Sequence, residues 1–195
     1  EMPAVDTVIV NGSQSEPYAT SDHRVLVEHR GEVDRGLALV TNALDAGHGL
    51  VVGDDGGYPG GDERLLIRRV LGREVPRRGW PAAVGAIVMN VQTVRALYRA
   101  VHERRPLVDR VLTVDGGAVG RPGNYVVPIG TEVGHLLEAC AVDLGKAAAV
   151  ICGGPMMGFP ATRETPVSPG TIAVLALDRE EVADRRDDPC IRCGQ

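Results

Sequence analysis

The chain has 195 residues, 44% apolar and 24% charged, so it is long enough to bury a core and has the composition of a water-soluble globular protein. Aromatic residues make up only 3% and the formal net charge is −5, which argues against a nucleic-acid-binding surface. No segment approaches the roughly 18 apolar residues of a membrane span, and no signal peptide is visible. Four cysteines, two of them inside apolar segments, favour a reducing compartment over a disulfide framework.

The first half of the chain alternates predicted strands and helices. Strands are predicted over residues 7–10, 50–52 and 86–89. Helices are predicted over residues 22–44, with Asp22 as the N-cap, over 64–71, ended by Gly72, and over 91–102. This alternation predicts an α/β layer with parallel strands.

The second half is richer in strands. Strands are predicted over residues 110–114, 124–129, 148–151 and 172–177, with one helix over 133–144. This order predicts a small α+β unit of the β-grasp type, and the change of pattern places a boundary near Arg105. The predicted divisions are an α/β domain over 1–105, the β-grasp domain over 106–178, and a segment over 179–195 that holds a linker and the start of an iron–sulfur segment. The charge-rich stretch that is typical of a linker runs over 178–189.

A small polar segment follows the first predicted strand, from Asn11 to Tyr18. In an open parallel sheet, ligands bind beyond the carboxyl ends of the strands, so this loop is a candidate binding site. Asn11 and Gln14 offer amides that can pair with a ring, and Glu16 adds a carboxylate. The alternative is a polar loop that only caps the following helix.

Two further motifs lie in equivalent positions. The paired glycines before Asp62 and Glu63 open a helix whose backbone N–H groups can meet a phosphate. The alternative is a capped helix with acids in its first turn. Asn90 follows the third predicted strand, where it either contacts a ligand or caps the next helix.

Two further motifs lie in the second half of the chain. The string Gly-Gly-Pro-Met-Met-Gly at 153–158 is typical of a tight structural turn with methionine as core filler. Cys190 and Cys193 form a C-x-x-C pair followed by glycine, which resembles the opening of an iron–sulfur ligand motif. A zinc site, a disulfide or two idle thiols on a polar tail are the alternatives.

The order of these motifs resembles one known family. The strings NGSQSEPY, YPGGDE, PGNY, GGPMMG and CIRCG occur in the order found in the C subunit of Rnf-type electron-transport complexes. The chain is also similar to the cobalamin reductase of propanediol-degrading microcompartments and to the NADH-binding flavoprotein subunit of respiratory NADH dehydrogenase. The resemblance covers residues 6–194.

The resemblance implies an FMN- and NADH-binding domain followed by a soluble-ligand-binding β-grasp (SLBB) domain. In this interpretation NADH reduces FMN, and electrons continue to 4Fe-4S clusters held in part by Cys190 and Cys193. The chain would then be part of an NADH-dependent oxidoreductase subunit. The alternatives are a cobalamin reductase and a non-catalytic module that binds a ligand or partner through the SLBB domain. The implied cofactor-binding residues are Asn11, Gly12, Ser13, Gln14, Glu16, Gly61, Asp62, Glu63 and Asn90.

The sequence departs from the family pattern in three ways. A glycine-rich flavin-phosphate loop is expected before Glu1, so the chain as given is expected to bind FMN weakly or not at all and to be inactive alone. Gln14 and Ser15 stand where the family has Glu and Cys. Only residues 53–57 separate the second strand from Tyr58, where the family carries another helix and strand.

The resemblance also implies the surroundings of the chain. We expect the other subunits of a redox complex and NADH as partners, and no nucleic acid. We expect a cytoplasmic protein that meets the inner face of a bacterial membrane only through partner subunits. A bacterial microcompartment is the alternative location.

Overall fold

The computed structural model describes residues 4–53 and 58–182. Most of the predicted turn at 53–57 and both cysteines of the terminal motif, Cys190 and Cys193, lie outside the described residues.

The first sheet has three parallel strands in the order β2–β1–β3. The strands are β1 (Thr7–Asn11), β2 (His48–Val52) and β3 (Ala86–Asn90). The predicted strands and their parallel arrangement are confirmed. The central strand β1 carries Val8, Ile9 and Val10, all fully buried, because helices cover both faces of the sheet.

Four helices cover this sheet. They are α1 (Ser21–Glu28), α2 (Arg30–Leu44), α3 (Glu63–Leu71) and α4 (Val91–His102). One face, with Val8 and Val10, packs against α1, α2 and α4. The other face, with Ile9, packs against α3 and the 3₁₀ helix Pro81–Val84.

The prediction of one helix over 22–44 is wrong. The chain breaks at His29, whose φ of −124° and ψ of 28° are not helical. The break lets α1 contact the second sheet while α2 packs on α4 and the first sheet, which one straight axis would not permit. Asp22 is not the N-cap, since Thr20 precedes the helix and Asp22 is buried within its first turn.

The second sheet is mixed, in the order β5–β4–β8–β6–β7, with β4 and β8 parallel and the other pairs antiparallel. Its strands are β4 (Asp109–Asp115), β5 (Gly123–Pro128), β6 (Ala147–Cys152), β7 (Phe159–Pro160) and β8 (Ala173–Asp178). The four predicted strands are confirmed. The two-residue β7 has no periodic pattern that could predict it.

The helix α5 (Val133–Ala139) covers one face of this sheet. The predicted extension of α5 to residue 144 is wrong. Ala141 adopts a left-handed φ of 52°, and Val142 then bridges Val119 instead of continuing the helix. The helix ends because the chain turns back to the sheet.

The two sheets lie on either side of Arg105, while the exact domain limits stay predictions. The predicted linker is wrong at its start. Asp178 ends β8, and Glu181 accepts hydrogen bonds from the Tyr18 hydroxyl and the Gly117 amide. The first residues after β8 therefore pack on both units.

Candidate functional site

The candidate site lies at the carboxyl edge of the first sheet. Asn11 ends the central strand β1, with Val52 and Asn90 as its register partners on either side. The topology therefore brings the Asn11–Glu16 loop to the same edge as Asn90, as the motif positions require. This is the edge where open α/β sheets bind ligands.

Asn11 organises two loops at this edge. Its side-chain amide donates to the Gly61 carbonyl at 2.8 Å, and its side-chain oxygen accepts from the Ser13 amide at 2.9 Å. The Gly61 amide in turn donates to the Gln14 carbonyl at 3.0 Å. A Cβ at Gly61 would come within 2.5 Å of that carbonyl oxygen, so only glycine permits this close approach of the two backbones.

Ser13 and Gly12 are also held by protein contacts. The buried Ser13 hydroxyl donates to the Gly53 carbonyl at 2.7 Å, and the Gly12 amide donates to the Val52 carbonyl. Gln14, by contrast, is half-buried and its side chain has no described hydrogen bond. Gln14 is therefore the amide of this loop that is available to a ligand.

Asp62 caps α3. Its carboxylate accepts from the amides of Arg64 and Leu65, both at 3.0 Å. The capping interpretation of this motif is thus confirmed for Asp62. Glu63 is exposed in the first turn, where its side chain has no described partner.

Asn90 caps α4 and contacts a buried carboxylate. Its side-chain oxygen accepts from the Gln92 amide at 2.9 Å, and its side-chain nitrogen donates to Asp22 at 2.5 Å. Gln92 donates to the other oxygen of Asp22 at 2.7 Å and pairs with both backbone groups of Val111 in β4. Burial raises the pKa of the Asp22 carboxyl, against the hydrogen bonds from Gln92 and Asn90 and the charge of Arg110.

The Glu16 side chain contacts the second unit. This buried carboxylate accepts from the backbone amides of Met156 and Met157 through one oxygen, at 2.7 and 3.2 Å. We call residues 154–157 the methionine turn. Met156 and Met157 are largely exposed, so the prediction that they fill the core is wrong.

A second cross-unit contact was missed by sequence reasoning. The Thr113 hydroxyl of β4 accepts from the amides of Thr20 and Ser21, both at 3.0 Å, and donates to Asn124. The start of α1 is therefore capped by a side chain that lies 93 positions after Thr20. A cap so distant in sequence leaves no local signal.

A cavity beside α4 lies away from the candidate site. A space of about 340 Å³ separates α4 from Leu107, from residues 109–111 and from Pro169. None of the nine predicted cofactor-binding residues lines it. Its arginines, Arg95, Arg99 and Arg110, are each engaged by acids or carbonyls.

The predicted metal ligands, Cys190 and Cys193, lie outside the described residues. Cys140 and Cys152 are buried and form no disulfide. Within residues 4–53 and 58–182, no group of three or more His, Cys, Asp or Glu side chains could hold a metal ion. The iron–sulfur ligands therefore stay a prediction.

Two domain families match the chain. The Nuo51 FMN-binding domain matches residues 50–99, and the SLBB domain matches residues 111–160. The first match spans β2, α3, β3 and most of α4, and the second spans β4 to β7. The predicted fold class, a parallel α/β unit followed by an SLBB unit, is confirmed.

Curated relatives match almost the whole chain. The C subunit of the proton-translocating ferredoxin:NAD(+) oxidoreductase complex of Clostridium ljungdahlii is 35% identical over 98% of this chain and 47% of its own length. The C subunit of the ion-translocating oxidoreductase complex of Edwardsiella ictaluri is 34% identical over 97% of this chain and 27% of its own length. The first alignment has 216 positions, so the relative carries residues within the matched region that this chain lacks.

A solved structure shares the fold. A chain of the NAD+-reducing [NiFe]-hydrogenase in the air-oxidized state superposes with a TM-score of 0.70 at 22% identity. The superposition covers 91% of this chain and 41% of the hydrogenase chain. It supports the fold of both units together.

These matches define a class: an FMN-binding-type α/β unit joined to an SLBB unit. Over almost its whole length, the chain is similar to the C subunits of ion-translocating oxidoreductase complexes. It spans less than half the length of these relatives. In the part of the chain that the structure describes, no helix has the length and apolarity to cross a membrane.

Proposed function

We propose that the chain forms the flavin-binding and SLBB part of an electron-transfer subunit that accepts electrons from NADH and passes them to iron–sulfur clusters. The observation that carries the proposal is the match of an FMN-binding domain to residues 50–99, which frame the carboxyl edge beside Asn11. The relative from Clostridium ljungdahlii is named as a ferredoxin:NAD(+) oxidoreductase subunit, which supports NAD(H) as the nucleotide.

The contacts at this edge divide the predicted residues into two groups. Asn11, Ser13, Asp62 and Asn90 are engaged within the protein and hold the loops in place. The side chains of Gln14 and Glu63 have no described partners. The two residues belong to the two loops that the hydrogen bond from the Gly61 amide to the Gln14 carbonyl joins. This donor set fits a flavin whose ring meets one amide and whose other contacts are backbone groups.

In this proposal Gln14 orients the ring, while Asn11 holds its loop against Gly61 and Asn90 caps α4. Bound FMN supplies the conversion between two-electron and one-electron chemistry. Cys190 and Cys193 would ligate a cluster, and partner subunits would provide the final acceptor. We further propose that such a complex places the chain at the inner face of the bacterial membrane through its partners.

The test is FMN binding by the full-length gene product, measured from its visible spectrum and by flavin fluorescence quenching. Gln14→Ala should raise the Kd for FMN about fivefold, because one amide contact to a bound ring contributes about 1 kcal/mol. Glu180→Gln is the control, since that exposed side chain has no described contact. A protein that shows no flavin absorbance and no saturable FMN binding would favour the alternative, a non-catalytic SLBB binding module.

A further inference from the structure

We infer that Glu16 is a positioning residue: it fixes the methionine turn of the second unit against the Asn11–Glu16 loop and thereby makes that turn one wall of the proposed flavin site. The inference rests on the proposed function for the identity of the site. The anchoring itself rests only on contacts within the chain.

The first argument is the geometry of the carboxylate. One oxygen of Glu16 accepts both turn amides, and the residue is 6% exposed. Two N–H donors on one buried carboxylate oxygen make charge-assisted hydrogen bonds, which are stronger than neutral ones. A carboxylate with these partners is committed to the protein backbone instead of to a ligand.

The second argument is the closeness of Gly154. A Cβ at this position would meet the Glu16 carboxylate far inside van der Waals distance. The turn can therefore approach the carboxylate only because residue 154 is glycine. Gly154 has no left-handed φ, so the requirement is steric and not conformational.

The third argument is the arrangement of the three turns. The backbone of Gln14 and Ser15 meets Gly61, while Glu16 meets the methionine turn. The loop after β1 thus joins the edge of the first sheet to the second unit. Met156 and Met157, whose backbone amides reach Glu16, have 57% and 85% of their surfaces exposed, so the turn carries two adaptable apolar side chains that are open to solvent.

The experiment measures hydrogen exchange by mass spectrometry in peptides that cover the methionine turn, on the ligand-free full-length protein. Glu16→Ala should speed exchange of the turn amides about tenfold or more, because both amides lose their acceptor. Glu16→Gln should exchange faster than wild type and more slowly than Glu16→Ala, since its side-chain oxygen can accept both amides but makes neutral hydrogen bonds. Glu180→Ala is the control and should match wild type.

Gly154→Ala provides an independent test. Its Cβ should displace the turn and reproduce the fast exchange of Glu16→Ala. In the double variant the two effects should not add, since removal of the carboxylate makes room for the Cβ. Unchanged exchange in Glu16→Ala would overturn the anchoring role, and exchange in Glu16→Gln as slow as in wild type would overturn the contribution of the charge.

The wall is tested by adding FMN to the same proteins. FMN should slow exchange of the turn in wild type and in Glu16→Gln, and its Kd should rise severalfold in Glu16→Ala. Bound FMN that leaves the turn unchanged would overturn the wall while leaving flavin binding intact. Absence of FMN binding in wild type would overturn both the wall and the proposed function, and the ligand-free exchange would still decide the anchor.

Discussion

Thr113→Val removes the cap that the second unit supplies to α1. Valine has nearly the same shape as threonine, so the change deletes one hydroxyl and leaves the packing in β4 in place. The amides of Thr20 and Ser21 then lose their acceptor, and Ser21 is 1% exposed, so water cannot replace it. The variant removes this cross-unit contact together with the hydrogen bond from the Thr113 hydroxyl to Asn124.

The expected loss is about 2–3 kcal/mol in the free energy of unfolding. Loss of a helix N-cap costs about 0.5–2 kcal/mol, and a buried amide without a partner costs about 1–3 kcal/mol. For a chain of this size, about 1 kcal/mol corresponds to about 2–4 °C, so the Tm should fall by about 4–12 °C.

Thermal and urea unfolding, followed by circular dichroism, measure the effect. Thr131→Val is the matched control, because it deletes the same hydroxyl at a half-buried position where the side chain has no described hydrogen bond. Thr113→Ser should recover most of the stability, since it restores the acceptor. If Thr113→Val loses no more stability than Thr131→Val, the cap does not stabilise α1 and the reasoning is refuted.

Two further predictions concern buried positions. Burial raises the pKa of Asp22 above the ordinary value of 3.8, so the stability of wild type relative to Asp22→Asn should fall as pH rises from that value through the folded pKa. Urea unfolding of both proteins between about pH 3 and about pH 8 measures this stability difference. A difference that does not change with pH would contradict the prediction. Gly36→Ala should lower the free energy of unfolding by about 1–3 kcal/mol, because its Cβ would overlap the Val94 carbonyl. Gly31→Ala in the same helix should raise it by up to about 1 kcal/mol, because its Cβ would lie in open space near the end of one arginine side chain. Equal Tm values for the two variants would refute the packing argument.

Local signals predicted the elements well. The helix α4 begins and ends where the sequence indicates, because Asn90 caps it and its apolar residues repeat with helical spacing until His102. The same holds for α3, which Asp62 opens and Gly72 closes in the left-handed conformation. These signals act within a few residues, so they can be read without the fold.

The sequence-based predictions are wrong where contacts between residues distant in the chain determine the structure. The break at His29 follows from the different surfaces that α1 and α2 contact, and the early end of α5 follows from the bridge between Val119 and Val142. The sequence places Glu16 at the sheet edge, but its partners lie 140 and 141 positions further along the chain. The contact of Asn90 with a cofactor stays a prediction.

The segment between β1 and α1 links the two units energetically. Glu16 accepts a hydrogen bond from the methionine turn, the Tyr18 hydroxyl donates to Glu181 just after β8, and the Thr20 amide donates to Thr113. Three contacts to the second half of the chain therefore occur within five residues. A chain cut at the predicted boundary near Arg105 would leave a buried carboxylate and the first amides of α1 without partners. Because the proposed flavin site uses the same segment, its geometry depends on the SLBB unit. A substitution in the SLBB contacts should therefore change flavin binding, and bound flavin should change the stability of those contacts.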